Sequence, residues 1–236
     1  MQRSFDVLSS IAATLARGAQ GMRTGRLGRR PAAPLVLYDF ESCPFCRKVR
    51  EALSVLDLEA DVRPCPKGGG RFRPELVARG GKAQFPYLVD PNTGKEMYES
   101  DAIVRYLFAE YGEGPPPAVL LGQLPVIGGS IASGLRFGRG THAEPSRAPA
   151  APLELWSFEA SPFCRIVREK LCTLELPYRL HNVAKASPSR AAFVARSGRM
   201  QVPYLVDPNT GAELFESAEI VAYLERSYAD GSAASP

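Results

Sequence analysis

The feature that most constrains this chain is an internal repeat. The sequence Cys-Pro-Phe-Cys-Arg that begins at Cys43 returns as Ser-Pro-Phe-Cys-Arg at Ser161. The segment Pro-Tyr-Leu-Val-Asp-Pro-Asn-Thr-Gly occurs twice, starting at Pro86 and Pro203. The pattern Glu-Ser-x-x-Ile-Val also occurs twice, starting at Glu99 and Glu216. A chain of 236 residues that repeats itself over this length predicts two similar folded units, each large enough to bury a core.

The repeat and the composition of the intervening stretches divide the chain into four segments. We expect a basic amphipathic leader at 1–34, a first unit at 35–112, a Pro- and Gly-rich linker with one short helical piece at 113–152, and a second unit at 153–230. Both the leader and the linker run into an identical Pro-Ala-Ala-Pro-Leu, so we interpret the leader as part of the repeat. Its Phe5, Leu8, Ala12 and Leu15 lie at helical spacing and predict one apolar stripe.

Within each unit, the pattern predicts an α/β fold in the order β-α-β-α-β-β-α. An apolar run typical of a strand precedes each Cys or Ser motif, and Pro44 and Pro162 then occupy a position at which a helix start tolerates proline. The Asp-Pro-Asn-Thr-Gly segments predict the turns of β-hairpins, with the glycine able to adopt a positive φ. A closing helix follows in each unit, with Ser100 and Ser217 expected at the capping position.

The charge distribution argues against a nucleic acid as the ligand. The formal charge of +4 arises from the leader, where six Arg accompany one Asp, and the rest of the chain is close to neutral. Nucleic-acid binding needs a clustered basic patch with stacking or base-reading partners. No apolar run approaches the ~20 residues of a membrane-spanning helix. We therefore expect neither a nucleic-acid partner nor a transmembrane segment.

The cysteine pattern indicates a reducing compartment. The five cysteines form one Cys-x-x-Cys pair and three scattered singles, which is not the pattern of an extracellular disulfide framework. We expect a cytoplasmic protein. The alternative is a plastid or another organelle, if the Arg-, Ala-, Gly- and Ser-rich residues 1–30 act as a transit peptide.

The Cys-x-x-Cys motif favours thiol–disulfide chemistry at Cys43. At a helix start, unpaired amides and the helix dipole stabilise a thiolate, and Arg47 and Lys48 follow closely. Cys46, one turn further on, is placed to attack a mixed disulfide formed at Cys43 and to release the product. The alternative, half of a zinc site, lacks a second pair of ligands at a suitable spacing, since the two histidines are isolated. We predict no metal site.

The second copy cannot perform a dithiol cycle, because Ser161 replaces the leading cysteine. The serine hydroxyl could donate a hydrogen bond to a bound thiolate and hold it ionised, or it could merely cap the helix. Cys164 in this copy, and Cys65 and Cys172 elsewhere, are expected to be buried and unreactive.

Two further elements recur beside these motifs. Phe85-Pro86 and Val202-Pro203 begin a strand after a loop, where a cis X–Pro bond would turn a backbone N–H and C=O toward the thiol. Glu99-Ser100 and Glu216-Ser217 offer a carboxylate, a hydroxyl and helix-end amides. Such a set could clamp an amino-acid-like group that carries both charges.

Together, the Cys-Pro-Phe-Cys, X-Pro and Glu-Ser-x-x-Ile-Val elements resemble the glutathione-binding, thioredoxin-like domain of glutaredoxins and of the N-terminus of glutathione S-transferases. The whole chain is similar to proteins of bacteria and plastids that carry two such domains in tandem. The resemblance implies two thioredoxin-like domains without the all-helical C-terminal domain of the transferases, so that a pocket for bulky electrophiles is not expected.

The resemblance also implies roles for particular residues. In that family, the leading Cys or Ser faces the glutathione sulfur, the residue before the cis-proline pairs with the tripeptide backbone, and Glu-Ser holds the γ-glutamyl end. By position, these residues are Cys43, Phe85, Glu99 and Ser100 in the first unit and Ser161, Val202, Glu216 and Ser217 in the second.

The leading hypothesis is a glutathione-dependent thiol–disulfide oxidoreductase that acts through Cys43 and Cys46. Its substrate would be a disulfide or a glutathionylated protein or small molecule, with glutathione as co-substrate. One alternative is a glutathione transferase-like enzyme that uses Ser161. Another is a non-catalytic module that binds glutathione, a partner protein or an iron–sulfur cluster ligated by Cys43.

Overall fold

The computed structural model describes the backbone of residues 2–230 and the side chains from residue 4 onward. A leading helix, α1, spans Gln2–Leu15. The first unit then contains β1 (Leu35–Asp39), α2 (Pro44–Val55), β2 (Ala60–Pro64), α3 (Phe72–Gly80), β3 (Tyr87–Asp90), β4 (Lys95–Met97) and α4 (Ser100–Tyr111).

The linker contains a 3-10 helix (Ala118–Leu120) and the helix α5 (Leu124–Leu135). The second unit contains β5 (Leu153–Ser157), α6 (Pro162–Thr173), β6 (Tyr178–Asn182), α7 (Ser189–Ser197), β7 (Tyr204–Asp207), β8 (Ala212–Phe215) and α8 (Ser217–Tyr228). Both units follow the order β-α-β-α-β-β-α, which confirms the predicted α/β class and the two thioredoxin-like domains. None of the helices within residues 2–230 combines the length and hydropathy that a bilayer crossing requires.

The eight strands form one continuous sheet in the order β4-β3-β1-β2-β6-β5-β7-β8. The units join through antiparallel pairing of β2 with β6, in a register that sets Asp61 opposite Arg179. Arg179 donates hydrogen bonds of 2.7 and 3.0 Å to the Asp61 carboxylate. The pairing satisfies backbone groups that an exposed edge strand would leave unpaired. As a result, the two copies of the repeat are arranged symmetrically about the β2–β6 boundary.

The sheet separates two layers of buried side chains, because successive strand residues point to opposite faces. Leu37 of β1 and Leu155 of β5 belong to a core that runs through both units and includes residues of α2, α4, α6 and α8. Tyr38 and Trp156, one position later, pack on the other face, where α3 and α7 contribute Leu76 and Phe193. The helices that begin at the two Cys or Ser motifs thus share one face of the sheet.

A buried carboxylate ties each hairpin to the closing helix. Asp90 accepts hydrogen bonds of 2.5 Å from the hydroxyls of Tyr106 and Tyr111 on α4. The second unit repeats the arrangement with Asp207, Tyr223 and Tyr228. The glycine of both turns adopts a positive φ, as expected from the sequence. This contact sets the position of the closing helix, and hence of the Glu-Ser pair at its start.

Helices α1 and α5 each pack against the unit other than the one that follows them in sequence. α5 precedes the second unit in sequence but packs on α2 of the first, whereas α1 precedes the first unit and packs on α6 of the second. The two helices lie against each other in antiparallel orientation. Arg136, just past the end of α5, donates a 2.8 Å hydrogen bond to the carbonyl of Asp6 near the start of α1. The rings of Phe5 and Phe137 lie 5.8 Å apart at the same end.

The apolar stripe predicted on α1 exists, but it faces away from the protein. Phe5, Leu8 and Leu15 are exposed, while the opposite face of the helix is buried. The reason is that Ser10 and Thr14 on that face donate hydrogen bonds of 2.8 and 3.1 Å to backbone carbonyls of the second unit. The small and polar side of the helix therefore packs closely, and the larger apolar side chains remain outside.

A buried network of ion pairs occupies the boundary between α2 and α6. Arg50 contacts the carboxylates of Asp39, Glu41 and Glu159 at 2.5, 3.3 and 3.1 Å. Arg168, its counterpart in the second unit, contacts Glu41 at 3.0 Å and Glu159 at 2.9 Å. Because charges removed from water are costly unless they are paired, this network makes the relative position of the two units specific.

Candidate functional site

The first unit places Cys43 at the N-terminal end of α2. The loop after β1 closes with a 3.1 Å hydrogen bond from the Cys43 amide to the Phe40 carbonyl. Cys43 has φ and ψ of −72° and 120°, and its Sγ accepts a hydrogen bond from the amide of Cys46 at 3.3 Å. Pro44 occupies the start of the helix, where a backbone donor is not required. The sulfur of Cys43 therefore caps α2.

The surroundings separate the acidities of the two thiols in this motif. The pKa of Cys43 is lowered, chiefly by the side-chain hydrogen bond with Cys46; burial opposes this effect, and the amides of Cys46 and Phe45 and the charge of Arg50 reinforce it. Cys46 is fully buried, and burial followed by the hydrogen bond with Cys43 raises its pKa well above the ordinary value. The outer thiol of the pair therefore ionises more readily than the inner one.

The cation that acts on Cys43 differs from those expected from the sequence. Arg47 turns to Glu51 at 3.2 Å, and Lys48 forms an ion pair with Asp101. Glu51 lies one helical turn after Arg47 on α2, whereas tertiary structure brings Asp101 near Lys48. The charge that lowers the pKa of Cys43 belongs to Arg50. The expectation that Arg47 and Lys48 stabilise the thiolate is corrected accordingly.

Ser161 reproduces the helix-capping geometry in the second unit. Its Oγ accepts a hydrogen bond from the amide of Cys164 at 3.2 Å, with φ and ψ of −71° and 119°. Acceptance leaves the hydroxyl proton available, so capping and donation to a bound thiolate are compatible roles. Cys164 is fully buried, and burial raises its pKa. Cys65 and Cys172 are also buried, and all five cysteines are free thiols.

Both X–Pro bonds, Phe85-Pro86 and Val202-Pro203, are cis. The ring of Phe85 meets the ring of Phe40 edge-on, with centroids 5.8 Å apart. Phe40 is the residue whose carbonyl holds the Cys43 amide. Phe85 therefore lies beside the Cys43 loop. In the second unit, Val202 packs against the aromatic cluster around Trp156.

The Glu-Ser pairs have an unusual backbone conformation. Glu99 and Glu216 are exposed and adopt φ of 68° and 63°. A positive φ is strained for residues other than glycine, and strained residues that a fold retains cluster at functional sites. Gln84 donates a 2.6 Å hydrogen bond to Glu99, which links it to the loop before Phe85. The second unit has the equivalent contact between Gln201 and Glu216.

The serines of these pairs are not the caps that the sequence suggested. Ser100 and Ser217 are the first residues of α4 and α8, and the capping positions belong to Glu99 and Glu216. Neither glutamate side chain bonds to the helix amides. Both glutamates have a positive φ, in place of the extended conformation that a side-chain cap normally adopts. The amides of the first helical turn therefore remain available to an anionic group.

Helix α5 lies directly over the Cys43 motif, which sequence reasoning missed. A Cβ placed on Gly129 would be 2.8 Å from the Cβ of Pro44. Ser133 donates a 2.6 Å hydrogen bond to the carbonyl of Ser42. As a result, Cys43 is only 5% exposed, whereas Phe45 is 43% exposed. The repeat contained a pattern from which this contact could have been predicted. Gly129 and Ser133 of α5 correspond to Ser10 and Thr14 of α1, which contact the second motif.

Two cavities lie on the second unit near the Ser161 motif. One of about 250 Å³ begins at Ser217 and is lined by Val7, Ile166 and Val221. The other, of about 430 Å³, continues along α6 and α8 to the loop at 138–144 and has a charged lining. Within residues 2–230, no His, Cys, Asp and Glu side chains are grouped in threes or more in a way that would hold a metal ion.

Comparison with known proteins gave one family and two solved structures. The model of the glutathione S-transferase N-terminal domain matches the chain twice, over residues 37–116 and 155–232. A glutathione transferase of Bombyx mori is 30% identical over 36% of this chain and 39% of its own, with a TM-score of 0.31. The trimeric glutathione transferase TDR1 of Leishmania is 14% identical and covers 87% of this chain and 69% of its own, with a TM-score of 0.31.

The Bombyx mori enzyme is much longer than the part that this chain matches, which is about two fifths of its length. A comparison with curated proteins gave no match.

Proposed function

The chain belongs to the family of glutathione S-transferase N-terminal domains, which it contains twice, and on this premise we propose that it is a glutathione-dependent thiol–disulfide oxidoreductase. The observation that carries the proposal is the difference between the thiols of the first motif. The pKa of Cys43 is lowered at the helix start, and that of the buried Cys46 is raised. Disulfide exchange begins with the attack of a thiolate on a disulfide, and a neighbouring thiol that stays protonated does not compete for that first step.

The proposed cycle transfers two electrons from glutathione to the substrate. The Cys43 thiolate attacks the glutathione sulfur of a mixed disulfide; that S–S bond breaks, and the substrate leaves as a thiolate that takes a proton from water. A second glutathione, as its thiolate, attacks the sulfur of glutathione bound to Cys43. Oxidised glutathione forms, and the Cys43 thiolate is restored. In the dithiol route, Cys46 attacks Cys43 instead, and two further glutathione molecules reduce the resulting disulfide.

We assign the binding of glutathione to the elements that surround each motif. In the first unit, the backbone of Phe85 before the cis Pro86 would pair with the tripeptide, and Glu99 with Ser100 would hold the γ-glutamyl end. Support comes from the exposed glutamate with its strained φ and from the available amides at the start of α4. Val202, Pro203, Glu216 and Ser217 would form the corresponding site of the second unit.

The test is the reduction of a glutathionylated peptide with glutathione as the reductant. The variant Cys43→Ser should lose nearly all turnover, whereas the matched variant Cys164→Ser, in the second unit, should keep it. Cys46→Ser separates the two routes, because it stops only the one that needs an internal disulfide. Unchanged turnover in Cys43→Ser would exclude the proposed function.

The second candidate is a transferase reaction at Ser161. It is favoured by the Ser161 hydroxyl at the start of α6 and by the cavity that begins at Ser217. Conjugation of glutathione to a small electrophile should be abolished in Ser161→Ala and retained in Cys43→Ser. A glutathione soak distinguishes the two candidates structurally, since the bound sulfur would lie against Cys43 in one and against Ser161 in the other.

If neither the reduction assay nor the conjugation assay detects turnover, the chain has a non-catalytic role. Binding of glutathione without turnover would indicate a binding module, and colour on anaerobic purification would indicate an iron–sulfur cluster ligated by Cys43. For the oxidoreductase, we propose glutathione and a disulfide or glutathionylated substrate as partners. We also propose a cytoplasmic location, since the free thiols require a reducing compartment.

A further inference from the structure

Two neighbouring helices present an apolar face to solvent. α1 and α5 lie side by side in antiparallel orientation, and each packs on the protein through a side of small and polar residues. The opposite sides carry large apolar side chains that are between 38% and 75% exposed. These residues, which we call the two-helix face, are Phe5, Leu8, Ile11, Leu15, Ile127, Ile131, Leu135 and Phe137.

The two-helix face is continuous along both helices. Its members recur every three or four positions in α1 and every four in α5, so each set forms one stripe. The rings of Phe5 and Phe137 lie next to each other at one end. At the other end, a Cβ placed on Gly128 would be 3.1 Å from the carbonyl oxygen of Ala16, just past α1. Leu124, one turn before Gly128, therefore lies beyond the end of α1 and outside the face.

The two-helix face carries no charge. From residue 4 onward, the exposed residues of α1 and α5 are apolar side chains, serines and one glycine. Arg17 and Arg136, which follow the two helices, are buried in ion pairs, and Arg139 pairs with Asp6 of α1. Amphipathic helices that bind anionic membranes carry free Lys or Arg beside their apolar side chains. The occupied arginines therefore favour a protein surface over a membrane as the partner.

The size of the two-helix face matches one side of a stable protein interface. Its eight side chains expose on the order of 800 Å² of apolar surface, whereas the largest apolar patch of a typical monomer is about 300–600 Å². A standard interface buries about 800 Å² of each partner. The other exposed large apolar side chains in the described part of the chain lie one to an element, on α2, α3, the 3-10 helix, α6, α7 and the loop after α7.

We propose that two copies of this chain associate through the two-helix face, with α1 and α5 of one copy packed on α1 and α5 of the other. A twofold dimer uses the same patch on both subunits. An uncharged face can pair with itself without placing like charges together, and the packing removes the apolar side chains of both copies from water. The association involves neither Cys43 nor glutathione, so its test is independent of the proposed function.

The first experiment measures the molar mass of the full chain by light scattering and sedimentation over a range of concentrations, with the thiols reduced and without glutathione. The mass should be twice the 25.6 kDa of one copy and should fall toward that value on dilution. A mass of one copy at every concentration would overturn the proposal. So would a series of larger oligomers, because a twofold dimer is closed.

Two variants test whether the two-helix face is the interface. Leu8→Glu and Ile131→Glu each place a charge within the face, and the dimer would bury that charge twice without a partner. Each should raise the dissociation constant at least about 100-fold. Val194→Glu adds the same charge at an exposed position of α7 and should leave the dimer intact. A dimer that persists in both Leu8→Glu and Ile131→Glu would overturn the assignment of the face.

All three substituted side chains are exposed in a single copy, so the variants should fold, which circular dichroism verifies. If either glutamate variant fails to fold, Ser130→Arg repeats the test, because it adds a charge on the exposed side of α5 without removing an apolar side chain.

Flotation with vesicles of phosphatidylcholine and phosphatidylserine separates a second copy from a lipid surface. We expect the unmodified chain to stay unbound at concentrations at which it is dimeric. Vesicle binding that is lost in Ile131→Glu, together with a mass of one copy in solution, would assign the face to a membrane and overturn the proposal.

Discussion

Arg168 of the second unit holds Glu41 of the first through two parallel hydrogen bonds, 3.1 Å from its Nε and 3.0 Å from its Nη2. The counterpart Arg50 donates a 3.1 Å hydrogen bond from its Nε to Glu159 in the opposite direction. All four side chains are buried. Together with the β2–β6 pairing, these reciprocal contacts make one structural body of two domains that are separate in sequence.

Removing one partner of this pair should be strongly destabilising. Glu41→Gln removes one of the two carboxylates that Arg168 contacts and one that Arg50 contacts, all of them buried. We expect the free energy of unfolding to fall by about 3–5 kcal/mol. Asp61→Asn is the control, because its pair with Arg179 also crosses the boundary but is partly exposed, and such pairs contribute about 1 kcal/mol or less. Urea unfolding measures both. Similar losses in the two variants would contradict the importance of burial.

The pH dependence of alkylation should identify Cys43 as the single reactive thiol. Its lowered pKa keeps thiolate present below pH 9.0, the ordinary value for a thiol, and the fraction of thiolate falls only as the pH drops through the lowered pKa. Cys46→Ala removes the hydrogen bond that contributes most, so the pKa of Cys43 should rise and the thiolate fraction at a given pH should fall. Cys46→Ser retains a donor and should have a smaller effect. Identical pH profiles in both variants would show that this hydrogen bond does not control the thiol.

The contribution of the linker to stability should depend on two neighbouring leucines in opposite environments. Leu120 is fully buried in the shared core, whereas Leu124 is 80% exposed at the start of α5. Leu120→Ala should lower the free energy of unfolding by about 2–5 kcal/mol, since it leaves a cavity. Leu124→Ala should change it by about 0.5 kcal/mol or less. If denaturant unfolding gives a large loss for Leu124→Ala, the outer face of α5 is covered in solution.

Access to Cys43 should be controlled by the contact between Gly129 and Pro44. A methyl group on Gly129 would overlap Pro44, so Gly129→Ala should shift α5, lower stability by about 1–3 kcal/mol and increase the rate of Cys43 alkylation. Gly134→Ala lies on the same helix, and its added Cβ meets nothing within 4 Å. It should raise stability by up to about 1 kcal/mol through helix propensity and leave alkylation unchanged. Equal alkylation rates in the two variants would show that α5 does not restrict the thiol.

Much of the candidate site could be predicted from short sequence patterns. The cysteine at the start of α2, Pro44 after it and the positive φ of Gly94 all depend on neighbours within a few residues. The role of Lys48 could not be predicted, because its partner Asp101 is distant in sequence, whereas Arg47 pairs with Glu51 one helical turn away. The serine caps failed for a related reason, since the backbone before each closing helix is strained in the folded protein.

The sequence by itself determined that there are two units, their class and the order of their elements, because periodicity, turn residues and the repeat act locally along the chain. Only the tertiary structure decided that β2 pairs with β6, that α1 and α5 cross to the other unit, and that Arg168 of the second unit pairs with Glu41 of the first. Such contacts join residues that are far apart in sequence, 118 positions for Asp61 and Arg179, so each is selected by how the packed surfaces and buried charges complement one another. No local pattern records this.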